Sequence, residues 1–330
     1  MVYLIIAAVS ASLFSIIMKI GQNLKNDGRH IIFIGYLFGA IVTSAQILYT
    51  VYFNSSEAPA AAWEPYILPF EGLMFSLLQG FLFLAGFVLL DISTWRNGVA
   101  LSTVAARASL ILPVIFSWLL LSQPAPVWYP VIMVIVAMAL IILPGSFQQH
   151  KEYEQGVTTS TMSHLNLSDS EYQARLNKRR RVLAVLVLIW VFLVSGVSDF
   201  TLKLVQNSVD SSLGEEVRVC RLNSLTAMIF IMSALLSFIY CLMPGKKIPF
   251  KKSNWKTVLA GSALGIVNIA CTSCILRALN TIPTHVFFPL YNIFIVIIAT
   301  LVGVFCFKEK LKWLQIAGLV LAVVAIALTI

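Results

Sequence analysis

Long apolar runs alternate with short polar breaks along the whole chain, near 2–20, 31–53, 72–91, 98–121, 126–144, 182–204, 217–243, 256–279, 283–307 and 311–330. A helix crossing the hydrocarbon core needs roughly 20 predominantly apolar residues. The pattern therefore predicts an all-α integral membrane protein of ten transmembrane helices. It also repeats. Lys19–Asn23 reads KIGQN and Lys203–Asn207 reads KLVQN, 184 positions on. With a drift of one residue the register continues through Trp128 and Trp313, Ala137 and Ala322, Ile141 and Ile326, and Leu143 and Leu328. Each unit holds five runs, and because five is odd the second copy enters the bilayer in the opposite sense. The expected organisation is two inverted five-helix repeats, 1–145 and 182–330, joined by a polar cytoplasmic linker at 146–181. Repeats of this kind point to carriers whose halves rock around a site near the bilayer midplane.

Composition strengthens the membrane assignment: 59% of residues are hydrophobic and 11% charged, with a mean hydropathy of +0.90. Soluble domains do not look like this. The first run lacks a basic leader and an A-x-A-like cleavage site and holds the repeat motif, so it is expected to stay in the protein. The net charge of +9 is distributed unevenly. Most Lys and Arg residues fall in alternate connections, at Lys25 and Arg29, Arg96, Lys151 and Arg175–Arg181, Lys246–Lys256 and Lys308–Lys312. Glu57, Glu64 and Glu71, then Asp210, Glu215 and Glu216, mark the intervening ones. By the positive-inside rule the basic connections face the cytoplasm of a plasma (inner) membrane, with both termini outside. The charge thus reads as topology and not as nucleic-acid binding. The linker, with Thr158–Thr161 and a basic end at Asn177–Arg181, reads as a solvated tether holding at most one short surface helix.

Small residues four apart, Gly35 and Gly39, Gly261 and Gly265, Ala299 and Gly303, mark close helix crossings. Cys271 and Cys274 have redox or metal spacing but sit in an apolar helix without nearby His, so packing is the simpler reading and no metal or other cofactor is implied.

Ionisable groups inside a membrane are costly and usually face a cavity or one another. Lys19 lies roughly 26 Å along the first helix, at the cytoplasmic interface, where snorkelling and a substrate role compete. Lys203 holds the equivalent place at the outer face. Asp199, one turn earlier, is the clear carboxylate of the sixth run. It is either a group coupling transport to a proton or sodium ion or the partner of Lys203. Arg107 falls roughly 13 Å into the fourth run, near mid-membrane, where snorkelling cannot reach water. The repeat offset carries it onto Asn292, beside Tyr291 in the ninth run and seven residues from His285. Arg218, Arg221 and Arg277, with Lys203, gather toward outer ends and could draw an anionic solute. Gln46, Gln79, Asn223, Asn268, Thr272 and Ser273 are each a cavity donor or interhelical glue.

The doubled five-run unit, Ile16-Ile17-Met18-Lys19 at the end of the first helix, and the terminal run from Pro289-Leu-Tyr-Asn through Phe307-Lys-Glu309-Lys-Leu to Gly318-Leu-Val resemble the EamA-like branch of the drug/metabolite transporter superfamily. The resemblance implies a ten-helix carrier of small organic metabolites working by alternating access. Gln123 stands where the first half would match Glu309, and the first helix has no acid of the kind that binds cationic drugs in the four-helix relatives.

The function expected is secondary transport of a small polar or anionic organic metabolite, amino-acid-like, with membrane lipid and the solute as partners. A non-transporting scaffold or receptor is the alternative. An intramembrane enzyme is disfavoured, because no H-E-x-x-H or G-x-S-x-G occurs and His30, His150, His164 and His285 are dispersed. No G-x-x-x-x-G-K-[ST] loop supports ATP as the energy source.

Overall fold

A computed structural model of the protein describes residues 1–23, 28–54, 63–122, 167–210, 212–242, 255–307, 313 and 320. Among these residues every regular element is helical. Helix α1 spans Val2–Asn23 and α2 Gly28–Tyr49, which a π-helical turn at Thr50–Asn54 prolongs. After a tight turn at Glu64–Tyr66 come α3, Phe70–Ala108, and α4, Ile111–Leu121. The rest is α5, Leu167–Asn207, α6, Glu215–Leu242, α7, Trp255–Thr281, and α8, Thr284–Phe307. Five segments are long and apolar enough to cross a membrane: Gly28–Phe53, Phe70–Ser93, Val182–Asn207, Glu215–Leu242 and Trp255–Thr281. Val2–Phe14, Ala105–Leu121 and Thr284–Ile295 are shorter apolar helices. The fifth run of each unit, apart from Trp313 and Val320, lies outside the described residues, as do Gln123, Glu309 and the linker from 146 to 166.

Three features of the backbone follow from particular residues. Helix α3 doubles back: Ser93 and Ser102 would lie about 14 Å apart on a straight helix, yet their hydroxyls are 2.7 Å apart. The chain therefore reverses between them, and α3 has two arms. The second arm stops at Ser109, four residues before Pro113, whose ring excludes the carbonyl at that position and lacks an N–H. The freed Ser109 carbonyl accepts from the Leu112 N–H at 2.9 Å, and the chain continues as α4. The sequence reading took 98–121 as one unbroken helix, so this break is a correction. Similarly, 167–181, read as tether, is helical and runs into the sixth span, because 167–207 holds no proline and a single glycine, Gly196.

Helices of the first half pack chiefly on those of the second. Helix α1 lies against α7 and α8, α2 against α6 and α7, α3 against α5 and α6, and α4 against α5 and α8. The crossing of α2 and α7 is backbone on backbone: a Cβ on Gly265 would stand 2.6 Å from the Gly35 carbonyl oxygen, and one on Gly261 would stand 2.7 Å from Ile34 Cβ. The crossing of α3 and α6 is alike, with Gly80 against Ile229 and Met232. Since lipid offers no hydrophobic force between helices, this close packing and interhelical bonds such as Ser233 Oγ to the Gly80 carbonyl, 3.1 Å, hold the bundle together. Outside, Val182, Val185, Leu186, Ile189, Trp190 and Leu193 form an exposed apolar stripe on α5, a face that suits lipid tails.

Candidate functional site

The break after Arg107 sets the geometry of the interior. Arg107 occupies the last turn of α3, where a cation faces the negative end of the helix. The turn beyond it presses onto α5, and a Cβ on Gly196 would meet Leu112 Cδ1 at 2.5 Å and the Ser109 carbonyl at 2.8 Å. Only glycine lets α5 come so near. Three residues on from Gly196 is Asp199, half-buried like Arg107.

Arg107 Nη1 donates to Asn292 Oδ1 of α8 at 3.3 Å, a contact across 185 residues and between the two halves. Asn292 is buried, and its amide donates to the Phe288 carbonyl at 3.0 Å, which fixes the oxygen toward Arg107. Tyr291, stacked on Phe287, has its hydroxyl 3.4 Å from the Cys271 thiol of α7. That thiol donates to the Ala7 carbonyl of α1 at 3.6 Å. The Arg107 charge reaches Asp199, Cys271 and Tyr291, and the Asp199 charge reaches the same thiol and phenol. Beside Asp199, Ser198 Oγ accepts from Gln79 Nε2 at 2.8 Å. The buried Gln79 Oε1 has no partner among the described residues. Helices α1, α3, α5, α7 and α8 thus converge on one cationic, one anionic and several neutral polar groups. Such a set of groups has the chemistry to meet a small solute carrying donors and a negative group.

The remaining residues singled out from sequence lie elsewhere. Lys203 is 4% exposed and turned away from Asp199. Its ammonium donates to Gln206 Oε1 at 2.5 Å and to the Leu279 carbonyl of α7 at 3.1 Å. The lysine is one turn along α5 but points at the end of α7, where unpaired carbonyls attract it; the Asp199 ion pair weighed from sequence is not formed. Gln206 Nε2 donates to Asn280 Oδ1 at 3.1 Å; with the Asn280 amide turned over, its oxygen accepts from Arg218 of α6 instead. Arg277 sits over the Tyr3 ring at 5.8 Å. Arg221 keeps a buried Nε without a partner among the described residues, and its charge reaches Asp210, whose carboxyl is held below the usual range chiefly by the Ser212 backbone N–H. His285 is half-buried in the first turn of α8. The Lys19 side chain lies outside the described residues, although its backbone is part of α1. Sequence reasoning missed the place of Cys271, taken as packing alone, and the partnership of Gln79 with Ser198. Pro113 was a usable signal for the break; nothing in the sequence marked the Cys271 contacts.

No curated protein matches the chain. A solved crystal structure superposes with a TM-score of 0.68 at 12% identity, covering 99% of this chain and 94% of that one; at this identity the likeness speaks for the fold alone. Residues 182–330 match the model of the EamA-like transporter family. Members of that family are transporters, and the match over the second half of the chain, with five helices long and apolar enough to cross a membrane, supports an EamA-like transporter of the drug/metabolite transporter superfamily, an integral membrane protein.

Proposed function

We propose that the protein is a secondary carrier of a small polar or anionic organic metabolite, built as ten helices in two inverted repeats and working by alternating access. The observation that carries the reading is the Arg107 to Asn292 hydrogen bond, which joins residues at equivalent places of the two repeats. The packing partners support the repeat. Exchanging α1 with α5, α2 with α6, the first arm of α3 with α7, and its second arm plus α4 with α8 turns the α1–α7 contact into α5–α3. It likewise turns α2–α7 into α6–α3 and α1–α8 into α5–α4, while α2–α6 and α4–α8 map onto themselves. A two-fold relation between halves has this property. Gly80 and Gly265, also 185 apart, occupy two of the exchanged crossings.

In this reading Arg107 takes the negative group of the solute through a forked hydrogen bond, Asn292 and Tyr291 orient it, and Gln79 Oε1 accepts a donor from it. Asp199 is the group that binds the coupling proton or sodium ion. Lys203, Arg218, Arg221 and Arg277 contribute positive charge near the outer mouth, His285 stands on the Asn292 side of its helix, and Lys19 marks the cytoplasmic mouth. The basic connections are cytoplasmic and both termini outside.

The test is uptake into proteoliposomes, screened with amino acids and organic anions under proton and sodium gradients. A flux that survives Arg107→Ala unchanged would remove Arg107 from the site. A flux indifferent to both gradients in wild type and in Asp199→Asn would remove the coupling role.

A further inference from the structure

Tyr36 of α2 is 2% exposed, and its hydroxyl has no partner among the described residues. Leaving a buried hydroxyl unpaired costs stability, and most such groups in folded proteins are paired. Rings surround this one. Phe83 lies 6.5 Å from Tyr36, centroid to centroid, and 18° from parallel; Phe87 stands edge-on at 5.9 Å, and Phe230 is tilted at 6.2 Å. Helix α1 packs chiefly on α7 and α8, yet its Phe14 meets Phe87 at 4.8 Å. Four helices, α1, α2, α3 and α6, thus contribute to one aromatic wall.

The wall adjoins the polar groups around Arg107. On α3, Gln79, Phe83 and Phe87 follow at intervals of four and share one face. The rings therefore begin about 6 Å along the helix from the glutamine that donates to Ser198. Phe83 packs both on the apolar cluster that contains Tyr291 and on the one that contains Tyr36. Phe287 and Phe288, beside Tyr291 and Asn292 on α8, are fully enclosed, whereas Phe14, Phe83 and Phe87 are each half-buried. Enclosed rings are spent on packing. Half-buried ones keep surface for a further ring to stack on.

The repeat sharpens this contrast. At the offset of 184 in α1 and 185 beyond it, Phe14, Tyr36, Phe83 and Phe87 fall on Ser198, Arg221, Asn268 and Thr272. Each aromatic position of the first unit answers to a polar one in the second, so a site between the units has an apolar flank and a polar one. We propose that the aromatic wall is a subsite for a flat ring. The solute is then an organic anion whose negative group meets Arg107, while its ring lies against Phe83 and Phe87 and a hydroxyl or heteroatom on that ring pairs with Tyr36 Oη. This deepens the carrier reading and rests on it for the site it extends.

Binding to the purified full-length protein tests it, read as thermal stabilisation, because a ligand that binds the folded form raises its melting temperature. The probes are acetate, cyclohexylacetate, phenylacetate and 4-hydroxyphenylacetate. Affinity should rise in that order, most steeply between the saturated ring and the flat one. Phe87→Leu keeps apolar bulk and removes a ring; it should weaken the two aromatic probes about two- to twelvefold, the range of one ring pair, and leave the other two where they were. Tyr36→Phe removes a single oxygen and so guards against a variant that fails to fold. It should erase the advantage of 4-hydroxyphenylacetate over phenylacetate and change nothing else. Equal affinity for flat and saturated rings, binding of none of the four, or losses spread evenly over all probes overturns the subsite. Flux of the same probes is measured separately in proteoliposomes. Ring-selective binding without flux would sink the carrier reading alone, and flux without ring selectivity would sink the subsite alone.

Discussion

Arg107 and Lys203 are both cations carried into apolar helices, and the structure treats them in opposite ways. Lys203 is almost wholly enclosed, with two short hydrogen bonds that occupy most of its donors. Arg107 is half-buried and, among the described residues, makes one long bond to Asn292, although a guanidinium carries five N–H donors. A saturated cation stabilises the arrangement it sits in. One with donors to spare has capacity for something that comes and goes. Burial of charge is therefore a poor guide to a binding site by itself, and unspent hydrogen-bonding capacity is a better one.

That contrast makes measurable claims. Arg107→Ala should cut flux by roughly 30- to 160-fold, the loss of a charge-assisted bond worth about 2 to 3 kcal/mol, while the thermal midpoint hardly moves; a large fall in midpoint with modest loss of flux would reverse the roles drawn here. Gly196→Ala should lower stability by about 1 to 3 kcal/mol, because the new methyl meets the Ser109 carbonyl, and should slow transport by shifting the turn that bears Arg107. Equal flux from an equally stable variant would show that the close approach is dispensable. Lys203→Ala should also cost about 1 to 3 kcal/mol, since the Leu279 carbonyl and Gln206 lose their partner in a closed layer; denaturation in detergent checks it. Asn292→Ala should cost about 1 kcal/mol in solute binding, near fivefold in half-saturating concentration, with Asn292→Asp worse because an aspartate would compete with the solute for Arg107.

The smallest effect belongs to Asp210, outside the apolar segments. Its carboxyl is held below the ordinary range by Ser212, so the folded protein binds that proton less readily than the unfolded chain does. The resulting stabilisation is present above about pH 4, the unfolded value, and is lost as pH falls through the lower folded value. Asp210→Asn should therefore reduce the thermal midpoint slightly near neutrality, and the difference should vanish in strong acid.

How much of this was legible in the sequence depends on the kind of information each feature carries. Of the ten expected membrane helices, the five found long and apolar enough among the described residues were legible because lipid demands such segments whatever their tertiary partners. Arg107 and Asn292 could be paired because an internal repeat works as an alignment of the chain with itself. The partner of Lys203 could not be read that way: Asp199 is its neighbour along the helix, whereas the Leu279 carbonyl is a backbone atom 76 residues away with no signature. The break before α4 was written in Pro113, yet the apolar run continues across it, and hydropathy does not register a missing N–H. Gly35 and Gly265 were legible as close-packing residues without any indication that they would meet each other.

That meeting has a mechanical consequence. Side chains that interlock like gear teeth resist rotation, because ridges must climb out of grooves before one helix can turn against another. Where Gly265 rides on the Gly35 carbonyl neither glycine contributes a tooth. A joint of this kind offers less steric resistance to pivoting, as a smooth bearing does, and Gly80 offers a second between α3 and α6. If the halves rock as proposed, these two close joints, each shared between them, are where the axle would lie.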